Sequence, residues 1–129
     1  MKQEGHLANN TAVVTIMSNM GFFKFAEDED LLKQLVFYAA FQNDKITGIL
    51  AVDVKLNHIC LFFVDKDLQN TGIGTALFKS FLNEFMPKAV TVNSSPFAVK
   101  VYEKLGFTAT GSRRVSDGIV YIPMRYSSK

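Results

Sequence analysis

The hydrophobic positions of the chain follow two periodicities, and these divide it into strands and helices. Residues 35–41, 46–54 and 58–64 are rich in β-branched and aromatic residues and are separated by polar turn signals, so they predict three consecutive strands. The third run is almost continuously apolar, which is typical of a central strand covered on both faces. In residues 72–85 and 95–105, apolar residues recur every three or four positions, which predicts two helices.

The two ends of the chain complete the predicted architecture. The remaining predicted elements are a helix over residues 4–20, a strand over 88–92 and a hairpin of two strands over 107–115 and 119–125. Ser116-Asp117-Gly118 is the turn signal of the hairpin. Ser95 followed by Pro96 predicts an N-cap and a first helical residue for the second of the two helices. The order of elements predicts an α/β fold in which a mixed, mostly antiparallel sheet carries helices on both faces.

Length and composition indicate one domain spanning residues 1–129. A chain of 129 residues with 48% hydrophobic content can bury a core of its own. The formal net charge is +2 and the basic residues are scattered, which argues against nucleic-acid binding. The single cysteine, Cys60, cannot form an internal disulfide and suits a reducing cytosol. Because neither a long apolar run nor a secretory signal pattern occurs, we expect a soluble cytoplasmic protein with no membrane span.

The turn between the third strand and the helix after it carries the strongest chemical signal. Residues 67–77 contain Gly72 and Gly74 and lie between an apolar strand and a helical pattern. Backbone N–H groups in such a turn point inward, and the helix dipole adds about half a positive charge at the same place. The two glycines allow a ligand to approach the backbone closely. The segment therefore predicts an anion-binding turn.

Two common phosphate motifs are excluded residue by residue. A Walker A loop needs a lysine after its last glycine, and Gly74 is followed by Thr75. A dinucleotide fingerprint needs a third glycine three residues after the second, and Leu77 stands there. The anion is therefore not expected to belong to a P-loop nucleotide or to a dinucleotide.

The chain instead resembles the GNAT superfamily of N-acetyltransferases. The turn Gln69-Asn70-Thr71-Gly72-Ile73-Gly74, after a strand that ends in Val64, is similar to the family pattern Gln/Arg-x-x-Gly-x-Gly/Ala. About thirty residues later, Ala98 to Phe107 resembles the family's late helix, which reads Ala-x-x-x-Tyr-Glu-x-Leu-Gly-Phe. The ending Asp117 to Met124 resembles small bacterial members. The likeness covers roughly residues 35–126, and the family's usual first strand is not evident in the N-terminal third.

The resemblance implies a binding site for acetyl-CoA, the acetyl donor, with its pyrophosphate on the N–H groups of residues 69–74. The pantetheine arm would pair with the strand before the turn, in a splayed gap of the sheet. The acetyl carbonyl would accept a hydrogen bond from a backbone N–H near Phe62, and such a donor can lower a barrier by about 3 kcal/mol. The residues expected to bind the cofactor are Phe62, Phe63, Val64, Gln69, Asn70, Thr71, Gly72, Ile73, Gly74, Thr75, Asn93 and Ser95.

The chain departs from the family pattern at two of these positions. Ser95 stands where many members have an asparagine that binds the pantetheine arm, and Asn93 is the residue that could compensate. Asn70 stands where a basic residue is common. A lysine nearby, Lys66, Lys100 or Lys104, is a candidate to supply the charge.

Tyr102 and His58 fall on the family's catalytic positions. Tyr102 corresponds to a tyrosine that donates a proton or a hydrogen bond to the CoA sulfur, and a phenol with a pKa of about 10 can do so at neutral pH. The alternative is that Tyr102 only packs its helix against the sheet. His58 opens the strand where members place a residue that takes the amine's proton, and its alternatives are a solvated strand end or a polar core partner. Cys60, on the same face by simple alternation, is expected to be a buried thiol rather than a nucleophile.

These features predict an N-acetyltransferase that moves an acetyl group from acetyl-CoA to a primary amine of a small molecule or a protein by direct attack. The alternative is a catalytically weak CoA-binding module with a regulatory or interaction role. The acidic run at residues 27–30 is read first as a solvated loop and second as a rim that attracts a cationic acceptor. No metal site is expected, since no Cys, His or Asp cluster has ligand spacing. A homodimer is possible for this family.

Overall fold

The computed structural model describes residues 2–6, as backbone, and residues 34–128. The strands are β1 (Lys2–His6), β2 (Leu35–Gln42), β3 (Lys45–Asp53), β4 (His58–Val64), β5 (Ala89–Ser94), β6 (Thr108–Ala109), β7 (Arg114–Ser116) and β8 (Ile119–Ser127). The helices are α1 (Ile73–Phe85) and α2 (Val99–Leu105), and a short 3₁₀ helix (Lys66–Leu68) lies between β4 and α1. The predicted strands and helices between residues 35 and 85 are confirmed to within a residue at each end.

The strands form one mixed sheet in the order β1-β2-β3-β4-β5-β8-β6, and β7 pairs with β8 beside this path. All pairings are antiparallel except that of β4 with β5, which is parallel. Short polar turns make the β2-β3-β4 meander possible, and α1 supplies the longer crossover that a parallel pair requires. The predicted mixed, mostly antiparallel α/β fold is confirmed.

Both described helices pack on one face of the sheet. The buried side of α1 consists of Ile73, Leu77, Phe78 and Phe81. These residues share one core cluster with Tyr102 of α2. The cluster also contains inward-facing residues of β2, β3, β4, β5 and β8, and Phe107, which follows α2. Full burial of a large apolar side chain stabilises the fold by roughly 1.5–3 kcal/mol, so this cluster anchors α1 and α2 on the sheet.

The other face of the central strands is buried too. Phe37 and Ala39 of β2 and Ile49 and Ala51 of β3 are at most 1% exposed, and they alternate with the residues that face α1. β2 and β3 are thus covered on both sides. The two described helices account for one of these sides.

The N-terminal prediction is corrected where the structure describes it. Glu4, Gly5 and His6 belong to β1, which pairs antiparallel with β2, so the predicted helix is wrong over its first three residues. Residues 7–20 of that predicted helix and the acidic run at 27–30 lie outside the described residues. β1 is an N-terminal strand that the hydrophobic pattern did not predict, because Lys-Gln-Glu-Gly-His contains no apolar alternation.

Three further predictions are corrected. The helix after β5 begins at Val99 with Ala98 as its N-cap, so Ser95 is not the cap; its carbonyl instead accepts from Ala98 N at 3.1 Å in the turn before the helix. The predicted strand over 107–115 is interrupted and forms only β6 and β7. β4 is central in the sheet but is not covered on both faces, since Phe63 is 38% exposed. The hairpin turn at Asp117-Gly118 is confirmed, and both residues have the positive φ that such a turn needs.

Candidate active site

A cleft opens in the sheet where β4 and β5 separate. The two strands pair only through His58 with Thr91 and Ile59 with Val92, although β4 continues to Val64. Residues 60–64 of β4 therefore border a gap instead of a neighbouring strand. The cleft has a volume of about 400 Å³, with β4 and the turn after it on one side and α2 on the other.

A β-bulge at Cys60 determines which side chains of β4 face the cleft. Consecutive residues of β3 pair with Ile59 and Leu61, which leaves Cys60 as the extra residue. Residues three positions apart lie on opposite faces of a regular strand. Because of the bulge, Ile59 and Phe62 instead lie on the same face, and both pack in the core beneath the helices. The bulge thus turns Phe62 toward α2.

The backbone of β4 presents hydrogen-bonding groups to the gap. Asp65 N donates to Thr47 O of β3 at 2.7 Å. Since successive N–H groups alternate along a strand, those of Phe62 and Val64 point the other way, into the cleft. The carbonyl of Val64 confirms this direction, because it accepts from Gln69 Nε2 at 3.3 Å. One strand edge therefore directs the N–H groups of Phe62 and Val64 into the cleft.

The turn after β4 joins this edge to the N-terminus of α1. Asn70 and Gly72 both adopt the left-handed conformation, with φ of 67° and 91°, and Gly72 is the N-cap residue of the helix. No side chain caps α1 and its first turn contains no acidic residue. The first N–H groups of a helix have no acceptor within it. They and the dipole are consequently available to an anion, as the sequence predicted for this turn.

Tyr102 lies at the inner wall of the cleft. It is held edge-on between Phe62, with ring centroids 6.1 Å apart, and Phe107, at 5.4 Å. Burial raises the pKa of the Tyr102 hydroxyl to about 12. A phenol with such a pKa remains protonated throughout the physiological range, so Tyr102 can donate a hydrogen bond or a proton but cannot act as a base there. The two readings of Tyr102, packing and proton donation, are both compatible with this position.

The outer wall of the cleft contains residues that sequence reasoning had not placed in a binding site. Phe97 is 94% exposed and Val101 is 55% exposed, and both line the cleft together with Lys104. Phe97 lies in the turn before α2 and Val101 lies on the helix, and neither belongs to the core cluster. Lys104 had been considered only as one of three possible sources of positive charge. It is the one of the three that lies at the cleft.

His58 lies on the face of the sheet opposite Tyr102. Its strand neighbour Ile59 packs beneath the helices, so the imidazole points to the other side, where its Nδ1 lies 2.8 Å from Thr91 Oγ1. Burial lowers the pKa of His58 below its usual value of about 6.5, and the negative charge of Asp53 opposes this shift in part. His58 does not line the cleft that holds Tyr102. It stands just beyond the closed end of the gap.

The thiol of Cys60 is a poor nucleophile in this setting. Burial raises its pKa, and the sulfur lies 3.7 Å from the carbonyl oxygen of His58 rather than against the imidazole ring. A thiolate needs a lowered pKa to be reactive. Cys60 is only partly buried, where a buried thiol was expected, and its raised pKa argues against a nucleophile.

The predicted cofactor-binding residues divide into two groups. Those that line the cleft are Phe62, Val64, Gln69, Asn70, Gly72, Gly74, Thr75 and Ser95. Phe63, Thr71, Ile73 and Asn93 do not line it. Ile73 is 3% exposed and packs its side chain in the core, while Asn93 alternates with the core residue Val92 and so points to the opposite face. The Thr71 hydroxyl donates to the carbonyl of Leu68 and braces the turn.

The splayed pair of β4 and β5 lies beside the uncapped N-terminus of α1. The model of the acetyltransferase (GNAT) domain family matches residues 8–128 of the chain. The chain therefore belongs to the GNAT acetyltransferase family, as the two motifs predicted.

Solved structures share the fold over about three quarters of the chain or more. An acyl-CoA N-acyltransferase from Pseudomonas aeruginosa superposes with a TM-score of 0.72 at 15% identity, covering 98% of this chain and 99% of that one. The ribosomal-protein-S18-alanine N-acetyltransferase from Escherichia coli gives a TM-score of 0.69 at 21% identity, with 98% and 94% covered. A Bacillus anthracis protein classed as a streptothricin acetyltransferase, solved with acetyl coenzyme A, gives 0.61 at 22%, with 74% and 64% covered. At these identities the likeness concerns the fold.

Two further properties concern the described residues only. Within residues 34–128 and the backbone of 2–6, no group of three His, Cys, Asp or Glu side chains could hold a metal ion. Neither α1 nor α2 is long and apolar enough to cross a membrane.

Proposed function

We propose that the protein is an acetyl-CoA-dependent N-acetyltransferase that acetylates a primary amine of a small molecule or a protein by direct attack. The observation that carries this proposal is the continuity of the cleft. One end is the uncapped N-terminus of α1, and its inner wall holds the protonated hydroxyl of Tyr102. An anion site and a proton donor thus lie in one cleft of about 400 Å³, within the range of small-molecule sites.

The residues of the cleft fit acetyl-CoA in three ways. The turn at Asn70 and Gly72 and the first N–H groups of α1 suit a pyrophosphate. The N–H group of Val64 suits an amide carbonyl of a pantetheine arm lying along β4 like an added strand, which leaves the N–H of Phe62 for the acetyl carbonyl. Lys104 adds a positive charge at the rim, which supports phosphate binding where Asn70 lacks one.

Each proposed catalytic group has one task. Bound acetyl-CoA supplies an acetyl group activated as a thioester. The Phe62 N–H would donate to the carbonyl oxygen as negative charge develops there, worth about 3 kcal/mol of the barrier. The Tyr102 hydroxyl would donate to the departing sulfur. His58, from the opposite face of the sheet, would take the proton of the attacking amine directly or through water.

The first experiment measures acetyl-CoA binding and acetyl transfer separately. Calorimetry with acetyl-CoA is expected to give saturable binding with one site per chain. Mass spectrometry of spermidine, free lysine and a peptide with a free α-amino group should then detect a gain of one acetyl group in at least one acceptor. No binding at millimolar acetyl-CoA would contradict the proposal.

The pH dependence of the reaction tests His58. A base must be unprotonated, so kcat/KM for the acceptor should rise with pH through the lowered pKa of His58 and become level above it. The limb is therefore expected below pH of about 6.5. His58→Gln should remove this limb and lower the plateau by about 100-fold. A limb at the same pH that persists in His58→Gln would come from another group and would exclude His58 as the base.

One observation favours the second candidate, a CoA-binding module with little catalysis. Among the described residues that line the cleft, no carboxylate or imidazole is present, and the ionisable side chains are Tyr102 and Lys104. A base must then act from outside the cleft, as proposed for His58. Saturable acetyl-CoA binding without transfer to any amine of the panel would favour the module over the enzyme.

A further inference from the structure

The imidazole of His58 is held at the point where β4 and β5 are last joined. His58 and Thr91 are register partners across this parallel pair, and the hydrogen bond between Nδ1 and Oγ1 is 2.8 Å long. The backbone supports the same junction, because Thr91 N donates to Asn57 O at 2.9 Å. Both ends of the side-chain bond are thus attached to paired strand backbone.

We propose that Thr91 is a positioning residue for His58: its hydroxyl oxygen accepts the Nδ1–H hydrogen and leaves the lone pair of Nε2 free to take the proton of the acceptor amine. This inference rests on the proposed function, in which His58 is the base. Thr91 does not line the cleft proposed for acetyl-CoA, and it acts through the imidazole.

The proposed role of His58 as the base requires this direction of the hydrogen bond, since a distance of 2.8 Å fits either direction. A neutral imidazole has one N–H donor and one acceptor nitrogen, and a protonated one has two donors. If Thr91 donated to Nδ1, the only basic nitrogen would be occupied and Nε2 could accept nothing. If Thr91 accepts from Nδ1–H, the bond remains intact when Nε2 gains a proton, because Nδ1 is a donor in both states. Only the second arrangement makes His58 a base toward another molecule.

The groups around the ring support a role in proton transfer. Asp53 of β3 is the register partner of His58 on the other side and is 5% exposed. Its Oδ1 accepts from the backbone N–H groups of Lys55 and Leu56 at 3.0 and 3.4 Å, which orients the carboxylate. Its negative charge stabilises the imidazolium that forms when Nε2 is protonated. On β4 itself the nearby ionisable group is Cys60, and β5 contains none.

The test compares Thr91→Val, which keeps the branched shape but removes the hydroxyl, with Thr91→Ser, which keeps the hydroxyl. The ring nitrogens of His58 are observed by ¹⁵N NMR in the free protein above its pKa. The chain has two histidines, so a His6→Gln background assigns the signals. We expect the Nδ1–H tautomer in the wild type and in Thr91→Ser, and a gain of the Nε2–H tautomer in Thr91→Val. Finding Nε2–H in the wild type would overturn the proposal.

The kinetic arm uses the amine of the panel with the highest wild-type turnover. For that amine, kcat/KM should fall about tenfold in Thr91→Val, part of the 100-fold or more that a general base contributes, and by less than about threefold in Thr91→Ser. The affinity for acetyl-CoA should be equal in all three proteins. Equal losses in Thr91→Val and Thr91→Ser would overturn the positioning role. A wild type that binds acetyl-CoA but acetylates no amine would overturn the proposed function itself, and the tautomer measured by NMR distinguishes that failure from a wrong assignment of Thr91.

Discussion

Replacing Tyr102 with phenylalanine is expected to lower kcat about 100-fold while the dissociation constant for acetyl-CoA changes by less than about threefold. The substitution removes the hydroxyl and keeps the ring that packs edge-on against Phe62 and Phe107. The hydroxyl is proposed to act on the departing sulfur, and a contact made mainly during the reaction affects kcat more than binding. Because the pKa of Tyr102 is about 12, the loss should be the same at every pH between about 6 and 9.

Tyr126→Phe is the matched control for this prediction. Tyr126 packs edge-on against Phe78, with ring centroids 5.3 Å apart, but it does not line the cleft. The control should leave kcat unchanged. Steady-state kinetics of the wild type, Tyr102→Phe and Tyr126→Phe, with calorimetry of acetyl-CoA binding, tests this prediction. A Tyr102→Phe enzyme with wild-type kcat would mean that Tyr102 serves only to pack α2 on the sheet.

Replacing Gly74 with glutamate is expected to weaken acetyl-CoA binding about 100-fold without destabilising the protein. Gly74 lies in the first turn of α1, and a β-carbon built there would meet Phe62 and Val64 at ordinary contact distances of 3.5–3.6 Å. A carboxylate near the first turn favours the helix dipole, and the loss of glycine adds up to about 1 kcal/mol of helix preference. The same carboxylate would repel a pyrophosphate by several kcal/mol if the two were about 4 Å apart at a protein surface.

Gly74→Gln separates charge from size in this experiment. Its side chain has the same length and occupies the same part of the cleft, so it should weaken binding by about tenfold, less than the glutamate does. Urea unfolding should give midpoints at or above that of the wild type for both variants. Equal losses of affinity in Gly74→Gln and Gly74→Glu would contradict the assignment of an anion to this turn.

The parts of the site that the sequence predicted are local in origin. The turn from Gln69 to Gly74 and the helix around Tyr102 are each specified by residues close together in the chain, and glycine, polar and apolar spacing decide such segments. Both segments line the cleft as expected, with Ile73 and Thr71 as exceptions. Ile73 is an exception because a residue in the first turn of an amphipathic helix can pack its side chain in the core while its N–H faces the ligand side.

The wrong predictions concern segments whose structure depends more on the strand or turn that they contact than on their own residues. The strand Lys2–His6 contains no apolar alternation, and it exists because it adds to the free edge of β2. Ser95 and Pro96 have the residue types of a helix start, yet the helix begins at Val99, after a separate turn. The preference of these two residues for a helix start is weaker than the geometry imposed by the neighbouring strand and cleft.

By itself, the sequence determined the family, the order of the central elements and the glycine-containing turn between β4 and α1, because these depend on residue types at short spacing. Only the tertiary structure decided how the cleft is built. The separation of β4 from β5 after Ile59 and the extra residue at Cys60 come from pairing between distant strands. Without the bulge, simple alternation would place Phe62 on the same face as His58. The bulge turns Phe62 toward Tyr102 and leaves His58 on the other face beside Thr91, since one inserted residue reverses the facing of every side chain beyond it.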